Sequence, residues 1–159
     1  MRAFLRACAW VVCTLLTLPF LGPCRGETAG PDTAAFADSV IFMPLHVYID
    51  PGGQPLAAYQ VELSDSSASS IIVGIEGGEH PAFRSPPYHD PKALRGNRIA
   101  LAAFSTARDL PRTRSRVATV HLMAKAAITP VFEPVLSVAA TRDGTRIKAS
   151  VRCEFGDAQ

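Results

Sequence analysis

The chain has 159 residues, with 16 Lys and Arg, 14 Asp and Glu, and a formal net charge of +2. This length suffices for one hydrophobic core but not for two domains of ordinary size. The near balance of charges argues against nucleic acid as a general partner.

The amino-terminal residues 1–26 have the pattern of a secretory signal peptide. Arg2 and Arg6 precede an apolar stretch over residues 7–21, which is short for a membrane-spanning helix of about 20 residues. Small residues before the end of this segment predict cleavage after Gly26. We therefore expect a secreted or extracytoplasmic protein, in the periplasm or at the cell surface, with no stable membrane span after cleavage. An uncleaved anchor is the alternative.

Cleavage at this position changes both the charge and the cysteine content. Three of the 16 basic residues and three of the four cysteines precede residue 27, leaving a net charge of −1 and Cys153 alone. The mature chain then has no internal disulfide and no Cys-rich zinc site. Cys24, three residues after Leu21, also fits a lipoprotein, which would tether the chain to a membrane through a lipid. Simple secretion is the preferred prediction.

A flexible lead-in over residues 27–39 precedes a region with the alternation of β-strands. Residues 56–63 illustrate the pattern, since Tyr59, Val61 and Leu63 fall on one face. An Asp-Gly turn at Asp143 predicts a hairpin between the last two strands. Residues 40–155 are thus predicted to form an all-β antiparallel sandwich of the jelly-roll type with about nine strands, followed by a tail at 156–159. The predicted strands are 40–50, 56–63, 71–75, 98–104, 117–123, 136–140 and 147–155, with shorter pieces between.

Several of these segments resemble one known family in their order and spacing. Residues 56–65, LAAYQVELSD, resemble the second strand of cohesin domains and of related carbohydrate-binding β-sandwich modules. Residues 99–105 and 117–124 look like the middle and late strands, and 136–144 resembles the closing hairpin. The resemblance implies a nine-stranded jelly roll that binds a dockerin-like protein or a polysaccharide, with recognition through a flat sheet face.

Candidate binding residues come from exposed aromatic rings and from a run of arginines. Flat aromatic rings stack on sugars, and alternate arginines on an extended chain project to one side and attract anionic groups. The arginines could instead be a solvated edge that prevents aggregation. The predicted binding residues are Tyr48, Tyr88, His89, Arg112, Arg114 and Arg116.

The Pro-rich segment 79–97, here called the excursion, contains or directly follows several acidic and imidazole side chains. These groups could ligate a divalent metal, but their spacing is not compact, and a solvated loop is the preferred interpretation. No metal and no cofactor are predicted. The residues concerned are Glu76, Glu79, His80, His89 and Asp90.

The sequence contains no nucleophile motif and no phosphate-binding loop. We therefore predict a non-catalytic module that binds an extracellular protein or polysaccharide. A structural envelope or matrix component without a specific ligand is one alternative, and a secreted hydrolase is another. Because polar and aromatic residues gather in the excursion and near Arg112, the sequence favours these loops over a sheet face as the binding site.

Overall fold

The computed structural model describes residues 39–157. Predictions about the signal peptide, about Cys24 and about the lead-in up to residue 38 lie outside this range, as do the last two residues. Within the described residues there are seven strands and two short 3₁₀ helices, Pro81–Phe83 and Pro91–Ala93. The strands are β1 (Val40–Asp50), β2 (Ala58–Asp65), β3 (Ser70–Gly77), β4 (Arg98–Phe104), β5 (Ser115–Lys125), β6 (Phe132–Ala140) and β7 (Ser150–Phe155).

The strands form two antiparallel sheets, which confirms the predicted all-β sandwich. One sheet has the order β3-β5-β1-β7 and the other has the order β4-β2-β6. The described residues contain seven strands rather than the nine or so expected of the jelly roll. The short piece expected before residue 136 belongs to β6 and is not a separate strand.

The core lies between the inner faces of the two sheets. Every second side chain is buried throughout β2 and from Leu45 to Ile49 of β1, as the period of two predicts. Tyr59 of β2 is 2 % exposed and donates its hydroxyl hydrogen to the carbonyl of Val117 in β5 at 3.1 Å, so it joins the two sheets. The largest fully buried side chains are Leu45, Ile49, Leu56, Leu63, Ile72, Ile99, Leu101, Leu122, Val47, Val61, Val117 and Val120.

The predicted hairpin near the carboxyl end is correct for the turn but wrong for the strands. Gly144 has φ +85° and its N–H bonds the carbonyl of Thr141, and Ile147 returns to bond Ala139. Beyond that the chain changes sheets. β6 pairs with β2, whereas β7 pairs with β1 in the opposite sheet.

Candidate functional site

On the outer face of the three-stranded sheet, the two flanking strands carry mostly small and apolar side chains on either side of a polar central strand, where an exposed face normally has polar residues throughout. Gln60 of β2 lies between Ala102 and Val138, and Glu62 lies between Ala100 and Val135. Directly opposed residues point to the same face of a sheet, so these neighbours share one surface. We call it the apolar face, consisting of Ala100, Ala102, Phe104, Val135 and Val138 together with Tyr88.

Tyr88 reaches this face although it belongs to the excursion rather than to a strand. Its N–H bonds the carbonyl of Ala102 at 2.7 Å, and the N–H of Ala102 bonds the carbonyl of Tyr88 at 2.9 Å. This pair of bonds attaches the excursion to the open edge of β4. It also fixes the backbone of Tyr88, so its side chain stands beside the sheet in a defined position.

The ring of Tyr88 stacks with that of Phe104. The centroids are 6.4 Å apart and the planes differ by 7°. The two residues remain 72 % and 67 % exposed, respectively. Large apolar groups held rigidly in water mark a contact surface more often than scattered apolar residues do. Val135, on the far strand of the same sheet, is also exposed.

One ion pair lies at one end of the apolar face. Arg98 donates to Glu62 at 2.6 Å across β4 and β2. Both side chains are solvent-accessible, so the pair contributes little to stability. Phe104 and Tyr88 lie at the other end of β4, away from this pair.

Around Tyr48 the outer face of the four-stranded sheet is polar and holds most of the other predicted binding residues. The other end of this face is apolar and carries Phe42, Met123 and Ile71. Tyr48 of β1 lies between Arg116 of β5 and Arg152 of β7. The guanidinium carbon of Arg114 is 4.2 Å from the centroid of the Tyr48 ring, and Arg114 also donates to Glu154. The Tyr48 ring is therefore already covered on one side by a cation, which reduces its value as a sugar platform.

Two histidines extend this polar face away from Tyr48. Nδ1 of His46 is 3.1 Å from the hydroxyl of Thr119, and Nε2 of His121 is 3.2 Å from a carboxylate oxygen of Glu76. The latter is an ion-pair distance without hydrogen-bond geometry. Burial, with the charge of Arg116 as a smaller cause, lowers the pKa of His46 from its ordinary value and so favours the neutral ring.

The predicted binding residues thus divide between two surfaces. Tyr88 lies on the apolar face, whereas Tyr48, Arg114 and Arg116 lie on the opposite sheet. Arg112 is at a loop end, where Nη1 approaches the carbonyl of Gly53 at 3.5 Å. Nδ1 of His89 lies 3.0 Å from the carbonyl of Pro87, within the excursion. Phe104, which the sequence did not single out, completes the aromatic pair.

The acidic and imidazole groups of the excursion act in local structure. Glu79 accepts the N–H of Arg116 at 2.9 Å, which ties the excursion to β5. His80 and Asp90 accept backbone N–H groups at the starts of the two 3₁₀ helices. Glu76 faces His121 instead. Among residues 39–157, no three such side chains lie close enough together to hold a metal ion.

The groups with strongly shifted pKa lie inside the protein rather than in a cleft. Burial raises the pKa of Cys153 to about 12 and raises that of Tyr59 still further. For Asp65, burial alone would raise the pKa, but hydrogen bonds from Ser67, Ser70 and Val131 outweigh it and lower the pKa to about 2. Asp65 is only 3 % exposed. Catalytic groups with tuned pKa must reach a substrate, and these three do not.

The chain matches no family model, no curated protein and no solved structure. Within the described part of the chain, no helix has the length and hydropathy that crossing a membrane would need.

Proposed function

We propose that this chain is an exported, non-catalytic binding module that docks an extracellular protein on its apolar face. The observation that carries the proposal is the stacked pair of Tyr88 and Phe104, exposed by about two-thirds or more on an otherwise small-residue sheet face. Full burial of one such ring is worth roughly 1.5–3 kcal/mol. A partner that covers both rings gains most of this energy at little cost in ordering them.

The form of the apolar face supports a protein partner. Interface cores are enriched in aromatic residues and poor in charge, and here the only described ion pair is at the Arg98 end. The alanines at 100 and 102 keep the β4 edge of the sheet low beside Phe104, so a partner side chain can lie against this edge. The cohesin resemblance implies the same mode, which is recognition through a flat sheet face.

A polysaccharide is the second candidate, and the parallel orientation of the two rings favours it. Sugars bring apolar C–H groups against flat aromatic faces, and two parallel, exposed rings offer such faces in one fixed orientation. Of the loop site favoured by the sequence, the excursion supplies Tyr88 to this sheet face, whereas Arg114 and Arg116 lie with the other sheet.

The test is a comparison of affinity capture and glycan binding by two matched variants. The exported protein would be used as bait in culture supernatant and applied to a glycan array, alongside Phe104→Ser and Phe42→Ser. Phe42 is 51 % exposed on the other sheet. Loss of captured proteins with Phe104→Ser alone supports a protein partner, and loss of glycan signals alone supports a sugar. Equal behaviour of both variants contradicts the proposal.

A further inference from the structure

A small polar pocket lies on the sheet opposite the apolar face. It is lined by Tyr48 and Asp50 of β1, by Ser150 and Arg152 of β7, and by Arg114, which precedes β5. Tyr48 faces Arg152 and Asp50 faces Ser150 in the strand register, so all four point outward together. The volume is about 140 Å³, below the roughly 300 Å³ of the smallest drug-sized sites. There is room for one small residue of a ligand.

Two guanidinium groups supply the positive side of this pocket. Arg114 is held in place by its bond to Glu154 and by its contact with the Tyr48 ring. Since a guanidinium has five N–H donors, the bond to Glu154 leaves others available. Among the described residues, Arg152 forms no salt bridge. Its planar fork matches a carboxylate.

The opposite wall of the pocket accepts hydrogen bonds. One carboxylate oxygen of Asp50 takes the N–H of Gly52 at 2.9 Å, and the described residues give the other oxygen no hydrogen-bond donor. The hydroxyl of Ser150 stands beside it. A simple anion in this pocket would be attracted by the two arginines but also repelled by the carboxylate of Asp50, which lines the same pocket. The complementary ligand carries both a negative group and neutral hydroxyl donors.

We propose that this pocket binds a uronic acid residue of an anionic polysaccharide. The sugar carboxylate pairs with Arg152 and Arg114, and ring hydroxyls donate to Asp50 and to the Ser150 hydroxyl. The site is separate from the apolar face and does not depend on the function proposed for it. A module with both sites is retained by an acidic matrix while its other sheet remains free for a partner.

The experiment is a nuclear magnetic resonance titration of the exported protein with single sugars. D-galacturonate and D-glucuronate are the test ligands, D-galactose is the neutral match, and acetate is an anion without hydroxyls. We expect at least one uronate to shift the amides of Ser150 and Arg152 at concentrations where galactose and acetate do not. Absence of shifts with both uronates overturns the proposal, as does equal binding of acetate.

Three variants then test the roles of the two walls. Arg152→Gln should weaken uronate binding at least tenfold, whereas Arg98→Gln, at an exposed arginine of the other sheet, should leave it unchanged. Asp50→Asn keeps an oxygen for the Gly52 N–H but removes the charge. It should weaken uronate binding, whereas a simple anion site, including one for an acidic peptide, would bind more tightly. Tighter binding by Asp50→Asn, or no effect of Arg152→Gln in a protein with an otherwise unchanged spectrum, overturns the proposal.

Discussion

The carboxylate of Asp65 accepts the backbone N–H of Val131, 66 residues further along the chain, at 3.1 Å. The same carboxylate accepts backbone and hydroxyl hydrogens from the turn that follows β2, on Ser67, Ser69 and Ser70. One buried side chain therefore fixes the β2–β3 turn and holds the segment before β6 against it. This contact belongs to stability rather than to binding.

Replacing this carboxylate tests its structural role. Asp65→Asn puts an N–H₂ group among backbone donors, so at least one buried donor loses its acceptor. We expect the free energy of unfolding to fall by about 3 kcal/mol, measured by urea denaturation followed by circular dichroism. Asp143→Asn is the matched control, since Asp143 bonds Thr141 and Thr145 in an exposed turn. Asp143→Asn should lower the free energy of unfolding clearly less than Asp65→Asn does. Equal decreases for the two variants would contradict the structural role of Asp65.

The low pKa of Asp65 predicts a specific acid sensitivity. The pKa is about 2 in the folded protein against an ordinary 3.8, so the unfolded chain takes up this proton at a higher pH. The stabilisation is complete above about pH 4 and is lost as the pH falls toward 2, by roughly 2 kcal/mol in all. Unfolding curves of the wild type and of Asp65→Asn should converge over this range. If the free energies of unfolding of the wild type and of Asp65→Asn instead changed in parallel with pH, the fold would not stabilise the ionised carboxylate of Asp65.

The inward position of Cys153 predicts a protected thiol. Burial raises its pKa to about 12, so the reactive thiolate is scarce at pH 8. We expect Ellman's reagent to react slowly with the folded protein and rapidly in denaturant. Fast reaction in the folded state, at the rate of a free thiol, would show that β7 does not pack as described.

The proposed export with signal cleavage predicts the first residue of the mature protein. Amino-terminal sequencing of the exported product should begin between Glu27 and Pro31, and the denatured protein should contain one thiol per chain rather than four. Intact Met1 in a membrane fraction would contradict cleavage. A lipid-labelled amino terminus at Cys24 would establish the lipoprotein alternative.

Much of the fold was predictable because the strands follow the local alternation of apolar and polar residues. The predicted strand 98–104 coincides with β4, and Tyr59, Val61 and Leu63 are buried on one face as expected. Which strands pair with each other was not predictable. β7 follows an Asp-Gly turn that favours pairing with β6, yet it pairs with β1, because long-range packing of its inward face outweighs the local turn preference.

The candidate site was predictable only in part. Tyr88 could be named as an isolated aromatic residue, but Phe104 ends an apolar strand, IALAAF, with no polar alternation to show that it faces outward. Their contact arises because the excursion returns along β4, which no local pattern encodes. Asp65 was missed for a similar reason. The polar stretch 64–70 has the composition of a solvated loop, and the contacts of Asp65 with the distant residues Asn97 and Val131 are not encoded in any local pattern.

The direct test of the docking proposal is the Kd of a captured partner for four variants of this protein, two on the apolar face and two on the opposite sheet. Surface plasmon resonance measures the Kd of each variant and of the wild type. Phe104→Ser and Tyr88→Ser should each raise Kd about tenfold or more, which corresponds to about 1.4 kcal/mol. Phe42→Ser and Tyr48→Phe, on the opposite sheet, should leave Kd within about twofold. Unchanged Kd for Phe104→Ser and Tyr88→Ser, with a loss at Phe42 or Tyr48, would contradict the account and place the interface on the four-stranded sheet.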